Sequence, residues 1–427
     1  MPNFSIPLSG LTADSTALSA IANNLANQNT TGYKDVSVVF NDLFYQNLGT
    51  TGSGDPIQLG AGAEVASMPG VFTQGSVNAT GVPTNVAIQG NGFFVTQKDG
   101  VISYTRDGTF SVDQNNFLVT SEGQQVLGFP AVNGVIDTGQ GAVPLQLGAG
   151  TISPPTVTSN VQLTANLNAG AAVGDTFSTP ITVFDSLGAS HVLTFTFANT
   201  AANTWSYSLS VPSSELNPVV PSGGGAAVPQ TGILSTGTLT FDGNGVLTGP
   251  TDAGGNLENV TGIAINGLAD GANDMTFNWN LMDGTSPVIT QVAAPSSTSS
   301  TKQDGNSSGS LVDFSIGSDG TVTGSFTNGS TAALGQITLA SFANQEGLQR
   351  VGNTDFVPTL ASGQAVVGIA GTGGRGTLSG GSLELSNVDI ATEFANLIVA
   401  QRAFEANAKA ITTFDQITQD TINLKQG

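Results

Sequence analysis

The chain has 427 residues, with 9 Lys plus Arg against 30 Asp plus Glu and a formal net charge of −21. Nine cations over that length cannot build a phosphate-tracking patch of any size, which argues against nucleic acid and against anionic membrane surfaces as partners. Cysteine is absent and His191 is the one histidine, which excludes a disulfide frame, a thiol nucleophile, a histidine-based triad and a His/Cys metal site.

The length corresponds to about three domains of 150 residues. The 56 glycines suit strands joined by tight turns better than a helical enzyme. The opening MPNFSIPLSG lacks the basic and apolar regions of a cleaved signal peptide, so export is expected to use a route that reads no such signal. No run of 18 apolar residues is present to span a membrane.

The first thirty residues carry a helical pattern. Leu11, Leu18 and Leu25 are spaced by seven with Ile21 between them, and the remaining positions are small and nearly uncharged. An apolar seam beside Ala and Ser suits close helix packing. Residues 32–68 read as a connector, in which Val36, Val38, Phe40, Leu43 and Phe44 can pack and Gly49 to Gly62 forms a loop or hairpin.

From about Ala66 the apolar period becomes two. Asn91-Gly92, Asp99-Gly100 and Asp107-Gly108 punctuate short runs, and such pairs favour hairpins because type I′ turns need positive φ at both centres. Asp107 and Asp113 lack the ligand spacing of a calcium loop and read as turn aspartates. A boundary is expected near Gly148 to Ser159. Beyond it Leu193, Phe195 and Phe197, then Trp205, Tyr207, Leu209 and Val211, then Met275, Phe277, Trp279 and Leu281 each alternate with polar residues, the mark of half-buried strands. Pro218 to Pro229 and Pro295 to Ser310 read as loops, and His191 as a turn or surface residue. After about residue 300 the first β pattern resumes with Val312, Phe314 and Ile316. Gly371 to Gly381 lacks the lysine of a phosphate loop and has no βαβ setting.

Ser386 to Gly427 holds no Gly or Pro before its last residue. Ile390, Leu397, Phe404 and Ile411 recur every seven positions, Phe394 fills an intermediate one, and the stripe then shifts to Phe414, Ile417 and Leu424. Ser386, Asn387 and Asp389 are N-cap types, with Glu393 in the first turn. Such a helix reaches roughly 60 Å and needs a partner, which the first thirty residues offer.

The expected fold is mainly β with a terminal α-helical coiled coil, two nested all-β domains of barrel or sandwich type being inserted between the helices. The expected parts are 1–31 with 386–427 as a terminal coiled coil, a connector at 32–68, a first β domain at 69–150 and 300–385, and an outer β domain at 151–299. Both ends could instead be ordinary core helices. Two helices alone leave weakly charged faces exposed, which predicts either a polymer or termini that order only in one.

Asn24, Leu25, Ala26 and Asn27, followed by Thr30, Gly32 and Tyr33 in NTTGYK, resemble the N-terminal signature of the flagellar rod and hook proteins. Ser386, Asn387, Val388 and Asp389, then Gln401, Arg402 and Asn407 in AQRAFEAN, resemble the other end of that family. Gly90 to Phe94, Tyr104 to Phe110 and GQITLASFANQEGLQRVGNTDF resemble its first β domain, and Val183 to Gly188 with His191 resembles an outer-domain segment of hook members.

The resemblance implies a structural subunit rather than an enzyme, without catalytic residues, cofactor or metal. It implies self-assembly into a flexible hollow tube that transmits torque from rod to filament. The second β domain points to a hook rather than the shorter rod members. Implied partners are other copies of the chain, rod proteins, hook cap and junction proteins, and the flagellar type III export apparatus, with no nucleic acid and no membrane insertion. The polymerisation seam is expected at Leu11, Leu18, Ile21, Leu25, Ile390, Phe394, Leu397, Phe404 and Ile411. Alternatives are a distal rod or hook-associated protein, or an oligomeric adhesin-like β protein at a cell surface.

Overall fold

The computed structural model describes residues 4–132, 134–147, 152–219 and 228–424. The expected boundary near residue 148 lies partly, and the loop at 218–229 mostly, outside the described residues. The chain folds as two compact units, one formed by Met1–Ala149, Asp313–Gly324 and Thr331–Gly427, the other by Gly150–Val312 and Ser325–Ser330.

The first unit contains both long helices, α1 (Ser5–Ala26) and α2 (Ile390–Leu424). Asp389 caps α2, its Oδ1 accepting from the backbone N–H of Ala391 at 2.8 Å and Thr392 at 3.2 Å, which satisfies donors that a helix start leaves unpaired. The helices run antiparallel. Asn24 lies against Glu393, Asn407 against Asp14, and the Phe4 and Phe414 rings meet edge-on at 6.1 Å.

Their contact is made by small residues. Ala13, Ala17, Ala20 and Asn24 of α1 are buried, with Glu393 and Ala400 of α2. Steps of four, three and four keep one face in register. The leucine stripe flanks this face: Leu11, Leu18, Ile21 and Leu25 are half-buried. Alanines let the two backbones approach closely, and the larger side chains are thereby pushed to the edges of the seam.

Residues 39–67 form a two-tier hairpin, Val39–Asp42 pairing with Ala63–Ser67 and Gln46–Thr50 with Pro56–Leu59, all antiparallel. An antiparallel sheet follows in the order Thr331–Ser341, Gln125–Val132, Phe93–Lys98, Val101–Thr105, Asp355–Val357 and Gln349–Gly352. The strand at Phe93 is covered on both faces. Phe94 enters a core with Phe110, Val126 and Leu339, whereas Phe93 and Val95 enter another with Tyr104, Phe342 and Phe356. Burial on two sides is why this strand reads FFV without polar alternation.

Among the three expected turn pairs, Asp99 (φ 52°) and Gly100 (φ 82°) alone take positive φ at both positions. Asp107-Gly108 is a bend rather than a hairpin: the Gly108 carbonyl accepts from Val86 N–H at 3.0 Å, and the Asp107 carboxylate accepts from Thr109 N–H at 2.9 Å.

The second unit contains two five-stranded sheets. One is an antiparallel run through Thr176–Phe184, Ser190–Ala201, Thr204–Ser210, Ile233–Phe241 and Leu247–Gly249. The other is built around Asn160–Asn168, which pairs in parallel with Met275–Asn280 and Ile289–Val292. Their inward residues form one core in which Trp279 meets Phe195 at 4.9 Å and Tyr207 at 5.0 Å between ring centroids. The alternating apolar residues in the sequence are the residues of this core.

Candidate functional site

At the root of the helix pair the chain leaves α1, turns, and enters the connector, while the returning strand Ser382–Glu384 feeds α2. Gly32 makes the turn with φ +68°, and a Cβ there would lie 2.6 Å from Arg106 C and Asp107 N. Only glycine meets both conditions. The Gly32 N–H donates to the Glu384 carbonyl at 2.8 Å, so the turn is tied to the strand that precedes α2.

Two asparagines, one from each end of the chain, fasten the helices to the connector. Asn24 donates from Nδ2 to the Val36 carbonyl at 2.9 Å and accepts at Oδ1 from Val36 N–H and the Tyr33 hydroxyl, both at 3.1 Å. Its amide thereby pairs with backbone as a peptide group would. Asn387 accepts from Asp35 N–H at 2.8 Å and donates to the Val71 carbonyl at 2.8 Å. Thr30 donates to Asn27 Oδ1 at 3.1 Å, and Asn27 donates to the Asn23 carbonyl at 2.9 Å, closing the end of α1.

Beneath them lies a buried charge cluster. Glu384 accepts from Lys34 Nζ at 2.6 Å and Gly75 N–H at 3.0 Å on Oε1, and from Arg106 Nη1 at 3.3 Å on Oε2. Burial pulls the Lys34 ammonium below the usual lysine range and lowers Arg106 too, each opposed by Glu384. Arg350 donates to the Lys34 carbonyl at 2.7 Å, and its guanidinium lies over the Tyr33 and Phe356 rings at 5.4 and 5.5 Å. Segments hundreds of residues apart are locked here by short polar contacts out of water. The arrangement has the chemistry of a clasp: its groups hold each other and present no nucleophile with an adjacent base.

The remaining signature residues divide in two. Asn407 donates to Asp14 at 2.8 Å, Ser386 Oγ accepts from Val388 N–H at 3.3 Å, and Leu25 and Val388 are half-buried. Ala26, Gln401 and Arg402 are exposed. In the expected seam no side chain is fully buried: Leu397, Phe404 and Ile411 are half-buried, and Ile390 and Phe394 are 47% and 48% exposed. Ile398, Val399 and Leu424 add further exposed apolar surface on α2. Glu384, Arg106 and Arg350 were not anticipated. The available signal was an arginine inside the strand-like YTRDGTF of a chain with few charges.

His191 corrects another expectation. It lies on the strand Ser190–Ala201, 5% exposed, not in a turn or at the surface. Its Nδ1 meets Glu215 Oε2 at 2.8 Å, and its Nε2 meets Asp185 Oδ2 at 3.1 Å and Asp270 Oδ2 at 3.5 Å. Asp185 is itself held by Leu187 and Ala189 N–H donors at 2.8 Å. Carboxylates brought from three segments thus lie against the two ring nitrogens of His191.

The "Flagella basal body rod protein" family model matches residues 6–34, and the "Flagellar basal body rod FlgEFG protein C-terminal" model matches 379–424. The clasp asparagines, Lys34 and Glu384 fall inside these two matches. The "Flagellar hook protein FlgE/F/G D1 domain" model matches 87–166 and the "Flagellar basal body protein FlaE D2 domain" model 156–306. The flagellar hook protein FlgE of Escherichia coli (strain K12) is 35% identical over 99% of this chain and 100% of its own length. The chain belongs to the flagellar hook protein family. The hook protein FlgE of Treponema pallidum (strain Nichols) is 33% identical, covering 98% of each chain. This hook-family chain has, among the described residues, no helix long and apolar enough to cross a membrane.

Proposed function

We propose that the chain is the structural subunit of a flagellar hook, a helical hollow tube that bends while transmitting torque from rod to filament. The observation that carries this reading is the helix pair held by a rigid buried clasp while Ile390, Phe394, Ile398 and Val399 remain exposed. An isolated pair gains little from such residues, whereas packing against other copies removes them from water at about 25 cal/mol per Å². Head-to-tail contacts between different patches then build an open helical polymer.

In this reading residues 1–31 and 386–427 are the polymerisation part, and 32–68 the connector. The first β domain comprises 69–150 and 300–385, the outer domain 151–299. The seam residues Leu11, Leu18, Ile21, Leu25, Leu397, Phe404 and Ile411 flank the alanine contact and meet neighbouring copies. Rod, cap and junction proteins are the partners at the ends of the tube, and the flagellar type III apparatus is the export route. The role is mechanical and calls for no catalytic step.

Electron microscopy of the chain under salting-out conditions tests this, beside a variant lacking residues 1–30 and 386–427. Smoothly bending hollow tubes from the full chain alone are expected. Leu397→Asp and Phe404→Asp are expected to abolish tubes with both β regions still folded. Normal tubes from either variant would sink the seam assignment, and straight, stiff tubes would favour a rod subunit.

A further inference from the structure

Between α1, α2 and the start of the connector runs a groove of about 460 Å³, lined by the carboxylates of Asp14, Asp35 and Glu393 and by apolar Ile21, Phe40 and Val399. None of the three carboxylates has an ion-pair partner among the described residues. Asp35 Oδ1 is buried without a hydrogen-bond partner, and Arg350 bonds the Asp35 carbonyl rather than its carboxylate. Glu393 is buried, with the Asn24 amide 3.4 Å from its Oε2. Burial, with the charges of Asp35 and Asp389 and against amide bonds from Asn24 and Asn396, holds its carboxyl above the usual range. The groove is an anionic cleft with an apolar wall and no cation.

The helix pair carries two described cations, Arg402 and Lys409. The Arg402 side chain is 79% exposed and engaged with Glu405 alone, at 3.2 Å, a surface pair that contributes little. Arg402 follows Glu393 by nine positions, which at 3.6 residues per turn places it about 180° around α2 and about 13 Å along it. That distance along α2 keeps it from Glu393 of its own chain, while Val399 at the edge of the groove is three positions away. A planar guanidinium on an apolar stem matches two carboxylates beside Phe40 and Val399, better than the point charge of Lys409.

We propose that the groove receives Arg402 of a neighbouring copy, the guanidinium resting on Glu393 and Asp35 and the stem on Phe40 and Val399. This rests on the hook-subunit reading and names one of its contacts. Groove and arginine are different patches of the helix pair, and in a head-to-tail array their contact repeats from copy to copy without closing.

A double-variant cycle on the full-length chain tests it, with the critical concentration for tube formation read by sedimentation and microscopy. Arg402→Gln, Glu393→Gln and Asp35→Asn should each raise that concentration about tenfold or more. Arg402→Gln combined with Glu393→Gln should be no worse than the poorer single variant, Arg402→Lys should recover part of the loss, and Lys409→Gln should change little. Monomer melting curves matching the parent exclude misfolding as the cause, and Asp35→Asn leaves the helix contact itself intact. Additive losses, or parent-like assembly of Arg402→Gln, would overturn the contact alone. Failure of the parent chain to form tubes at all would overturn the subunit reading and the contact with it.

Discussion

Glu384→Ala is the sharpest test of the clasp. The substitution removes acceptors for Lys34 at 2.6 Å, Gly75 N–H at 3.0 Å and Arg106 at 3.3 Å, and leaves two cations with 0% and 1% side-chain exposure without their carboxylate. Breaking a buried ion pair from one side costs about 3–5 kcal/mol, because the abandoned charge remains desolvated. At about 2–4 °C per kcal/mol for a unit of this size, the expected fall in melting temperature is about 6–20 °C. Calorimetry of the full chain should show this in one transition. The two tryptophans of the chain, Trp205 and Trp279, are both buried in the second unit, so the tryptophan-monitored transition should stay in place. Exchanging Lys34, Arg106 and Glu384 together for methionine should cost less than Glu384→Ala alone. A shift below about 2 °C for Glu384→Ala, or an equal movement of the tryptophan signal, would refute the reasoning.

Ala17→Leu places three more heavy atoms at a buried position on the inner face of α1 and should cost about 1–3 kcal/mol; lower helicity in circular dichroism and lost tube formation check it, and a parent-like tube would refute close alanine packing. His191 makes the second unit sensitive to pH. Burial favours the neutral ring, but hydrogen bonds and charge from Glu215 and Asp185 outweigh it and hold the imidazole above its ordinary value. A base whose folded pKa is raised stabilises fully below its unfolded pKa of about 6.5 and loses that contribution as pH rises through the folded value. Tryptophan-monitored stability should fall over that range, and His191→Gln should be weaker at pH near 6 with a flatter profile; an unchanged profile would sink the assignment.

Much of this was legible in one dimension. Alternation at Phe195 and Phe197, Trp205 and Tyr207, and Phe277 and Trp279 marks the core of the second unit, because strand geometry sends every second side chain to the same face. Asp389 announced the start of α2 through its short reach to the next N–H groups. The signature around Asn24 and Asn387 pointed to the family, and the relatives agree. The helix contact was legible only in part, since a heptad of leucines and a parallel series of alanines share the same spacing. Which series faces inward depends on how closely the backbones approach.

Local chemistry, then, was determined by the sequence alone: two terminal helices, β regions between them, the turn at Asp99-Gly100, no thiol and a large acidic excess. These follow from interactions within a few residues, where spacing and side-chain type suffice. The tertiary structure alone decided that Glu384 joins Lys34 across 350 positions, that His191 gathers three carboxylates, and that alanines rather than leucines fill the helix contact. The free energy of a buried charge depends on what surrounds it in space, and those surroundings come from segments that are far apart along the chain.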